Sequence, residues 1–385
     1  PYTYYEEHQI FADTVRKYIR SKLEPHIDEW EEAEYFPNSV FSELGEQGFL
    51  GILVPETYGG IGGDYKMAAA WCEAFGELCS IGLTVGVNMH SLVVSHALSL
   101  YGSEELKKKW LPLAVKGEKI GAYAFTEPGA GSDLANISTK AQRKNGRWIL
   151  EGTKIFITNG SRADFILVLA KTDPSAGYKG FTTFVVDTSL KGFSISRNLK
   201  KLGWKASDTS ELVLDGIELG DECVLGQVGE GWIQASKNLN WERVMLILTS
   251  LAGARKCFVE TYRYAQERKA FGRPIGEIPA VKDILENIYA KLKLSESLSH
   301  FALDAVCSSK HSSEKMGRLE VSLAKRYVCD TAVWIADRCL QIYGGYGYTT
   351  EFPVERWLRD LRLMPIGGGT SEIMAHIALK ELGVR

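Results

Sequence analysis

Cysteine is scarce and scattered. The 385 residues contain seven, at 72, 79, 223, 257, 307, 329 and 339, with no C-x-x-C pair and no Cys/His cluster. That spacing argues against a zinc site and a disulfide framework, and it fits a reducing compartment. Excess positive charge is lacking as well. A net charge of −3 gives no basic field to hold nucleic acid. No apolar run reaches the length of a membrane span. A G-x-G-x-x-G fingerprint between a strand and a helix is missing, so a Rossmann dinucleotide site is not indicated. No signal peptide stands at Pro1; the missing initiator Met suggests trimming and leaves a removed presequence open. What is present is ordinary for a globular protein, 45% hydrophobic and 24% charged. The length exceeds one ordinary core, so two or three domains or layers are expected.

Hydrophobic periodicity divides the chain into helical, β and helical parts. Up to about residue 118 apolar positions recur at helical spacing. Helices are expected over Tyr4–Lys22, closed by Pro25, and over Asn38–Phe49, Tyr65–Cys79 and Gly86–Tyr101, with a further one capped by Ser103. From 119 to about 225 the period is two. Short strands are expected at Ala122–Phe125, Trp148–Gly152, Lys154–Thr158, Phe165–Ala170, Thr182–Val186 and Glu211–Leu214, antiparallel by their short connections. Helical period then returns at Ile233–Arg268, Pro279–Ser308, Ser313–Tyr343, Pro353–Leu361 and Thr370–Leu382. Val281, Leu285, Ile288 and Leu292 form the seam of a helical bundle.

The chain is organised around residues 238–256, where Val244–Leu248 is apolar on every side, the mark of a helix buried all round. Glu242 and Arg243 stand at its entrance. They are either a solvated ion pair or, if the helix faces a dry cavity, a carboxylate whose proton is held tightly enough to act as a base near neutral pH. TEPGAGSD (126–133) follows a strand, and its glycines bring backbone N–H groups close to whatever lies above; a plain turn is the other reading. KIFITNG (154–160) places Phe156 and Thr158 on one strand face, suited to a flat heterocycle or to core packing.

Taken together with ERKAFGRPI (267–275), QIYGGYGYTTEFPVER (341–356) and GGGTSEI (367–373), these stretches resemble the acyl-CoA dehydrogenase family over nearly the whole chain. The resemblance implies an α+β fold: an N-terminal α-helical domain (1–118), a middle antiparallel β domain (119–228) and a C-terminal four-helix bundle (229–385). It implies non-covalent FAD and a homotetramer, or sometimes a dimer. Members remove the α-proton of an acyl-CoA as the flavin takes a hydride from Cβ. The product is a trans-2-enoyl-CoA, and electrons leave to an electron-transfer flavoprotein. By the same resemblance, Tyr123, Phe125, Thr126, Gly131 and Ser132 line the flavin and the thioester end of the substrate. Phe156, Ile157 and Thr158 lie against the flavin ring, with Phe where many relatives have Trp. Arg268, Phe271, Gln341, Gly344 and Gly345 meet the FAD of a neighbouring subunit, and Thr370, Ser371 and Glu372 open a helix toward its pyrophosphate. At Ile278-Pro279 many relatives carry a Gln after an aromatic or His, so one FAD contact is expected to be missing.

The departure that matters is Gly368. Much of the family reads E-G-T-S there, with that Glu as base; this chain reads G-G-T-S. The long-chain and isovaleryl branch instead carries its base in an E-R pair on the buried helix, where Glu242-Arg243 falls. Glu242 is therefore the expected base. The Gly368 N–H, with a flavin hydroxyl, is expected to hold the thioester oxygen, with Gly369 beside it on the substrate side. Asn240 and Arg243 are expected on the CoA side. Val87, Met89, His90, Leu92 and Val93 belong to the helix that walls the acyl pocket, with His90 as wall or packing rather than acid. An acyl-carrier-protein-linked enzyme, a flavin oxidase or nitroalkane-type enzyme and a non-catalytic flavin scaffold are the alternatives. The compartment expected is bacterial cytoplasm or mitochondrial matrix.

Overall fold

The computed structural model describes residues 4–308 and 317–384. The helical start comprises α1 (Glu6–Tyr18), α2 (Ile27–Glu32), α3 (Ser39–Glu46), α4 (Tyr65–Gly76), α5 (Ile81–Asn88), α6 (His96–Tyr101) and α7 (Glu104–Val115). Pro25 does not close the first helical stretch. It stands at the start of a short 3-10 turn, Glu24–His26, where no N–H is needed, and the chain runs on into α2. Ser103 caps α7 as expected, its hydroxyl accepting from the Leu106 N–H. Helices α5 and α6 are joined by a π-helical stretch, Met89–Ser95, into one rod that starts at Ile81 rather than Gly86. The Ser95 hydroxyl donates to the His90 carbonyl at 2.8 Å inside that wider turn. The rod is long and apolar enough to span a bilayer, which the sequence reading did not anticipate. Yet 94% of its apolar window is buried within the protein, so it is a core helix.

The middle sheet has seven strands: β1 (Gly121–Ala124), β2 (Lys140–Lys144), β3 (Arg147–Thr158), β4 (Phe165–Lys171), β5 (Phe181–Asp187), β6 (Phe193–Asn198) and β7 (Thr209–Leu219). The two strands expected within 148–158 are one, continuing through Gly152. Strands β2 and β6 were not expected. Both are largely exposed, so no alternation marks them, and the ladders to β3 and β7 hold them instead. The sheet is mainly antiparallel, but β1 runs parallel to β4. Short-connection reasoning sees only strands adjacent in sequence, and the β2–β3 hairpin intervenes here. The two faces of β4 serve different cores. Phe165, Leu167 and Leu169 join the core shared with the helices, while Ile166, Val168 and Ala170 join the core within the β part. Tyr123, opposite Leu167, therefore faces the helices.

The helical end comprises α8 (Gly231–Glu267), α9 (Pro279–Ser308), α10 (Arg318–Tyr343), α11 (Val354–Leu361) and α12 (Ser371–Glu381), with a small hairpin of β8 (Lys269–Ala270) and β9 (Arg273–Pro274). The helix expected from Ser313 has residues 313–316 outside the described residues. Helix α8 is the axis. Every residue from Arg243 to Ala254 is buried, because α4, α9, α10 and the sheet pack around it. The approach to α4 is close: a Cβ on Gly76 would stand 2.9 Å from the Ala252 Cβ and 3.0 Å from the Thr249 Cα. On α9, Leu285, Ile288 and Leu292 are buried along the expected seam.

Candidate active site

Glu242 and Arg243 do not form a solvated surface pair. Arg243 is buried and Glu242 is half-buried. The segment that meets them lies between α11 and α12. Gly368 and Gly369 both adopt left-handed backbone, φ +65° and +104°, a conformation that favours glycine. Arg243 Nε donates to the Gly368 carbonyl at 2.8 Å, and Lys325 Nζ, from α10, donates to the Gly369 carbonyl at 2.5 Å. A Cβ built on Gly368 would stand 3.9 Å from Glu242 Oε1. A carboxylate on α8 therefore reaches the place from which a side chain at 368 would start.

Burial pushes the Glu242 carboxyl up to about 7, against the opposing pull of Arg243 and Lys325. Arg243 is itself drawn down by burial to about 10, partly offset by Glu242, and remains charged at neutral pH. The site is thus a near-neutral carboxyl held beside two cations. Among the described residues, the N–H groups of Gly368 and Gly369 donate to no protein acceptor. A carboxylate that can take a proton next to free peptide donors is suited to removing a proton α to a carbonyl.

The wall opposite is built on the sheet. Phe125 and Tyr123 are buried at the end of β1, their rings 4.0 Å apart, and the buried Tyr123 hydroxyl lies near Thr183 and Asn238, with no hydrogen bond of ordinary geometry among the described residues. The turn after β1 is closed by reciprocal backbone bonds between Glu127 and Ala130. Beyond it Gly131 and Ser132 are exposed, and a Cβ on Gly131 would meet nothing within 4 Å. On β3 a bulge lies between Lys154 and Ile157, and Phe156 takes φ +62°, rare for a bulky side chain. The simple alternation that predicted a shared face with Thr158 is interrupted there. Ile157 is buried and Thr158 half-buried, while the Phe156 ring is 64% exposed. A strained backbone that presents an uncovered aromatic ring beside an open glycine loop fits the edge and face of a flavin.

Two residues beneath this wall escaped the sequence reading, although both lie inside quoted motifs. Glu127 and Lys154 form a buried ion pair at 2.9 Å, with side chains 2% and 0% exposed. Lys154 Nζ also donates to the Phe125 carbonyl, and Glu127 accepts from the backbone N–H groups of Ser138 and Thr139. Burial opposes the charge of Glu127, but Lys154 and these donors outweigh it and hold the carboxyl down at about 2. A lone Lys in an apolar strand and a Glu before Pro-Gly were the available signals. Lys325 gave none, sitting at a helical position that reads as surface.

Several expected residues are placed differently. His90 is fully buried, and both ring nitrogens serve the fold: Nε2 bonds the Ala114 carbonyl at 2.9 Å and Nδ1 accepts from the Gly121 N–H at 3.0 Å. Burial draws its pKa down to about 4, so it is neutral. Of the two roles expected for His90, wall or packing, these bonds are those of packing: the ring ties α7, the rod and β1 together. Substituting His90→Leu is expected to cost about 1–3 kcal/mol for each orphaned group. Chemical denaturation would show that loss, with kcat of the folded enzyme unchanged. Of its neighbours, Val87, Leu92 and Val93 are buried and Met89 half-buried; Asn240 is buried within α8. The Thr370 hydroxyl caps α12 by accepting from the Ile373 N–H, and the Ser371 hydroxyl donates to Asp330 at 2.7 Å, so both are already engaged. Glu372 is exposed, its carboxyl lowered by backbone and Thr370 hydrogen bonds at the helix start.

A separate open concavity gathers Arg268, Gly344 and Gly345 with Tyr264, Tyr343 and Tyr346. The Arg268 guanidinium lies 5.6 Å from the Tyr346 ring centre. Gln341 is exposed nearby in sequence, and Phe271, at the tip of the β8–β9 hairpin, is 93% exposed. Ile278, which precedes α9, is half-buried.

Comparison with known proteins identifies the family. Family models described as acyl-CoA dehydrogenase N-terminal, middle and C-terminal domains match residues 5–118, 122–217 and 229–383. The chain is 36% identical over 379 residues to the long-chain specific acyl-CoA dehydrogenase of Sus scrofa, covering 98% of this chain and 86% of that one. It is 36% identical over 375 residues to isovaleryl-CoA dehydrogenase of Solanum tuberosum, covering 97% and 89%. A solved glutaryl-CoA dehydrogenase of Mycobacterium smegmatis, in complex with FADH2, superposes with a TM-score of 0.90 at 30% identity, covering 98% and 95%. The chain belongs to the acyl-CoA dehydrogenase family of FAD-dependent oxidoreductases.

Proposed function

We propose that the protein oxidises a medium- or long-chain or branched acyl-CoA to its trans-2-enoyl-CoA, with Glu242 as the base that removes the α-proton. The observation that carries this reading is the convergence of the Glu242 carboxylate on Gly368. The place from which a side chain at 368 would start is reached from α8, at a carboxyl burial has brought to about 7. Glu242 takes the α-proton of the thioester. The N–H of Gly368 holds the thioester oxygen as negative charge develops on it, and Arg243 holds the peptide that follows, through the Gly368 carbonyl. FAD, when bound, accepts the hydride that leaves Cβ. Phe156, Ile157 and Thr158 on one side and Tyr123, Phe125, Thr126, Gly131 and Ser132 on the other would hold its ring, with Ser132 and Gly369 also toward the substrate. Thr370, Ser371 and Glu372 offer the start of α12 to its phosphates. Asn240 and Arg243 lie on the CoA side, and Val87 and Met89 along the acyl chain.

Arg268, Phe271, Gln341, Gly344 and Gly345 would serve the cofactor of a neighbouring subunit. The exposure of Phe271 supports assembly into a homotetramer or a dimer. An electron-transfer flavoprotein would take the electrons. A bacterial cytoplasm or a mitochondrial matrix suits a chain whose relatives include mitochondrial proteins.

A base must be ionised to act, so kcat/KM is expected to rise with pH and reach half its plateau near 7. Anaerobic flavin bleaching with straight and branched acyl-CoAs of several lengths, followed from pH 5.5 to 9, checks both substrate class and base. A profile flat across that range, or no bleaching with any acyl-CoA, would contradict the reading.

A further inference from the structure

Lys325 is charged, its side chain is fully buried, and no step described above uses it. It projects from α10 onto the Gly369 carbonyl, while Arg243 from α8 holds the preceding carbonyl, that of Gly368. Two cations from two helices therefore grip two successive peptide planes. Their grip bears on residues that would otherwise be the loosest in the site. Both glycines are left-handed, without side chains to lock them, and among the described residues neither N–H has an acceptor. The two held planes are joined by the dihedrals of Gly369 and carry the N–H groups of Gly369 and Thr370; holding them anchors the chain on the C-terminal side of Gly368, so that only the φ and ψ of Gly368 itself are left to set where its N–H points.

We infer that Lys325 is a positioning residue of the reaction: with Arg243 it clamps the Gly368–Gly369 corner so that the peptide donor faces the thioester oxygen beside Glu242. The inference rests on the Glu242 reading for the proton and is independent of it for the carbonyl. Lys325 acts through the backbone and touches no reacting atom. It has a second effect through space, because its charge helps keep the Glu242 carboxylate ionised. The other charged or titratable groups around Lys325 are Glu242 and Arg243 on α8, Cys329 and Asp330 on α10, and Glu372 on α12. Burial lowers the pKa of the ammonium, with Arg243 acting in the same direction and Cys329, Glu242 and Asp330 against it.

The test uses the FAD-loaded enzyme with a 3-thiaacyl-CoA, in which sulfur replaces Cβ. That analogue retains an acidic α-proton but has no Cβ hydride to lose, so α-proton exchange into D2O reports the base and its supports alone. In Lys325→Met the exchange rate is expected to fall about 10–100-fold, less than for outright removal of an oxyanion donor. Its pH midpoint should rise, and Kd for the analogue should change little. The carbonyl stretch of a bound, carbonyl-labelled acyl-CoA should move back toward its value in water. Lys325→Arg should restore the midpoint and part of the rate. A folded Lys325→Met enzyme with native exchange, native midpoint and native carbonyl stretch would overturn the inference. So would a rate loss without change in midpoint or stretch, which marks a merely structural residue. If Lys325→Met does not fold, Lys325→Gln and Lys325→Arg decide: Lys325→Gln must shift midpoint and stretch, and Lys325→Arg must not. Should Glu242→Gln exchange normally while the stretch still depends on Lys325, the base assignment fails and the clamp stands.

Discussion

Glu242→Gln is expected to slow anaerobic flavin bleaching by about 10²–10⁴-fold, the range over which a positioned general base contributes. The substitution keeps the shape of the side chain and removes only its capacity to take a proton. Substrate binding should be nearly unchanged, so the loss appears in kcat rather than KM. Misfolding is not expected to explain it. The folded-state pKa of Glu242 lies above its unfolded value, so ionisation opposes the fold as pH rises through about 7. A neutral Gln avoids that opposition, and above pH 8 the variant should melt no lower than the native enzyme. A variant that loses activity while keeping or gaining stability identifies a residue whose burial serves chemistry.

The second large effect lies under the proposed flavin wall. Glu127→Gln leaves the Lys154 ammonium buried beside a neutral amide, and is expected to destabilise the protein by about 3–5 kcal/mol. The double substitution Glu127→Gln/Lys154→Met removes both charges and should recover much of that loss, giving a positive coupling in a double-mutant cycle. The pair also spaces two loops: Lys154 holds the Phe125 carbonyl, and Glu127 holds Ser138 and Thr139. Release of FAD on gel filtration should therefore accompany the single substitution even under conditions where the fold survives. Because the Glu127 carboxyl is held at about 2, its contribution is present above pH 4.5 and is lost only as pH falls toward 2. Urea titrations at neutral pH measure the effect free of acid denaturation. A single variant within about 0.5 kcal/mol of native would show that the pair carries no net strength.

The helical and β parts were legible because burial imposes period on sequence. Residues Arg243–Ala254 are buried without a break because their apolar run has neighbours on every side. What burial does not pattern was not legible. Strand β6 has no buried residue to mark it, and the parallel pairing of β1 with β4 leaves no trace in connection length. The rod from Ile81 was read as starting late, since Gly82 and Gly86 weaken a helix signal that packing restores. In the proposed site, the reading of Glu242 came through Gly368, because an absent acid at one position directs attention to an acid elsewhere. For His90 the sequence left wall and packing both open. A histidine on a helix near a pocket looks like a wall residue until both ring nitrogens are seen to bond to backbone. Lys325 was invisible: its function depends on a carbonyl that approaches from residue 369 only after the chain has folded.

The central claim is that Glu242 removes the α-proton, and α-proton exchange measures that step alone. The exchange of a 3-thiaacyl-CoA in D2O, followed by NMR with native enzyme and with Glu242→Gln, needs no hydride transfer and no electron acceptor. Exchange that is rapid in the native enzyme, half-maximal near pH 7 and lost in the variant is the predicted result. Exchange at a near-native rate in a folded Glu242→Gln enzyme would contradict the account.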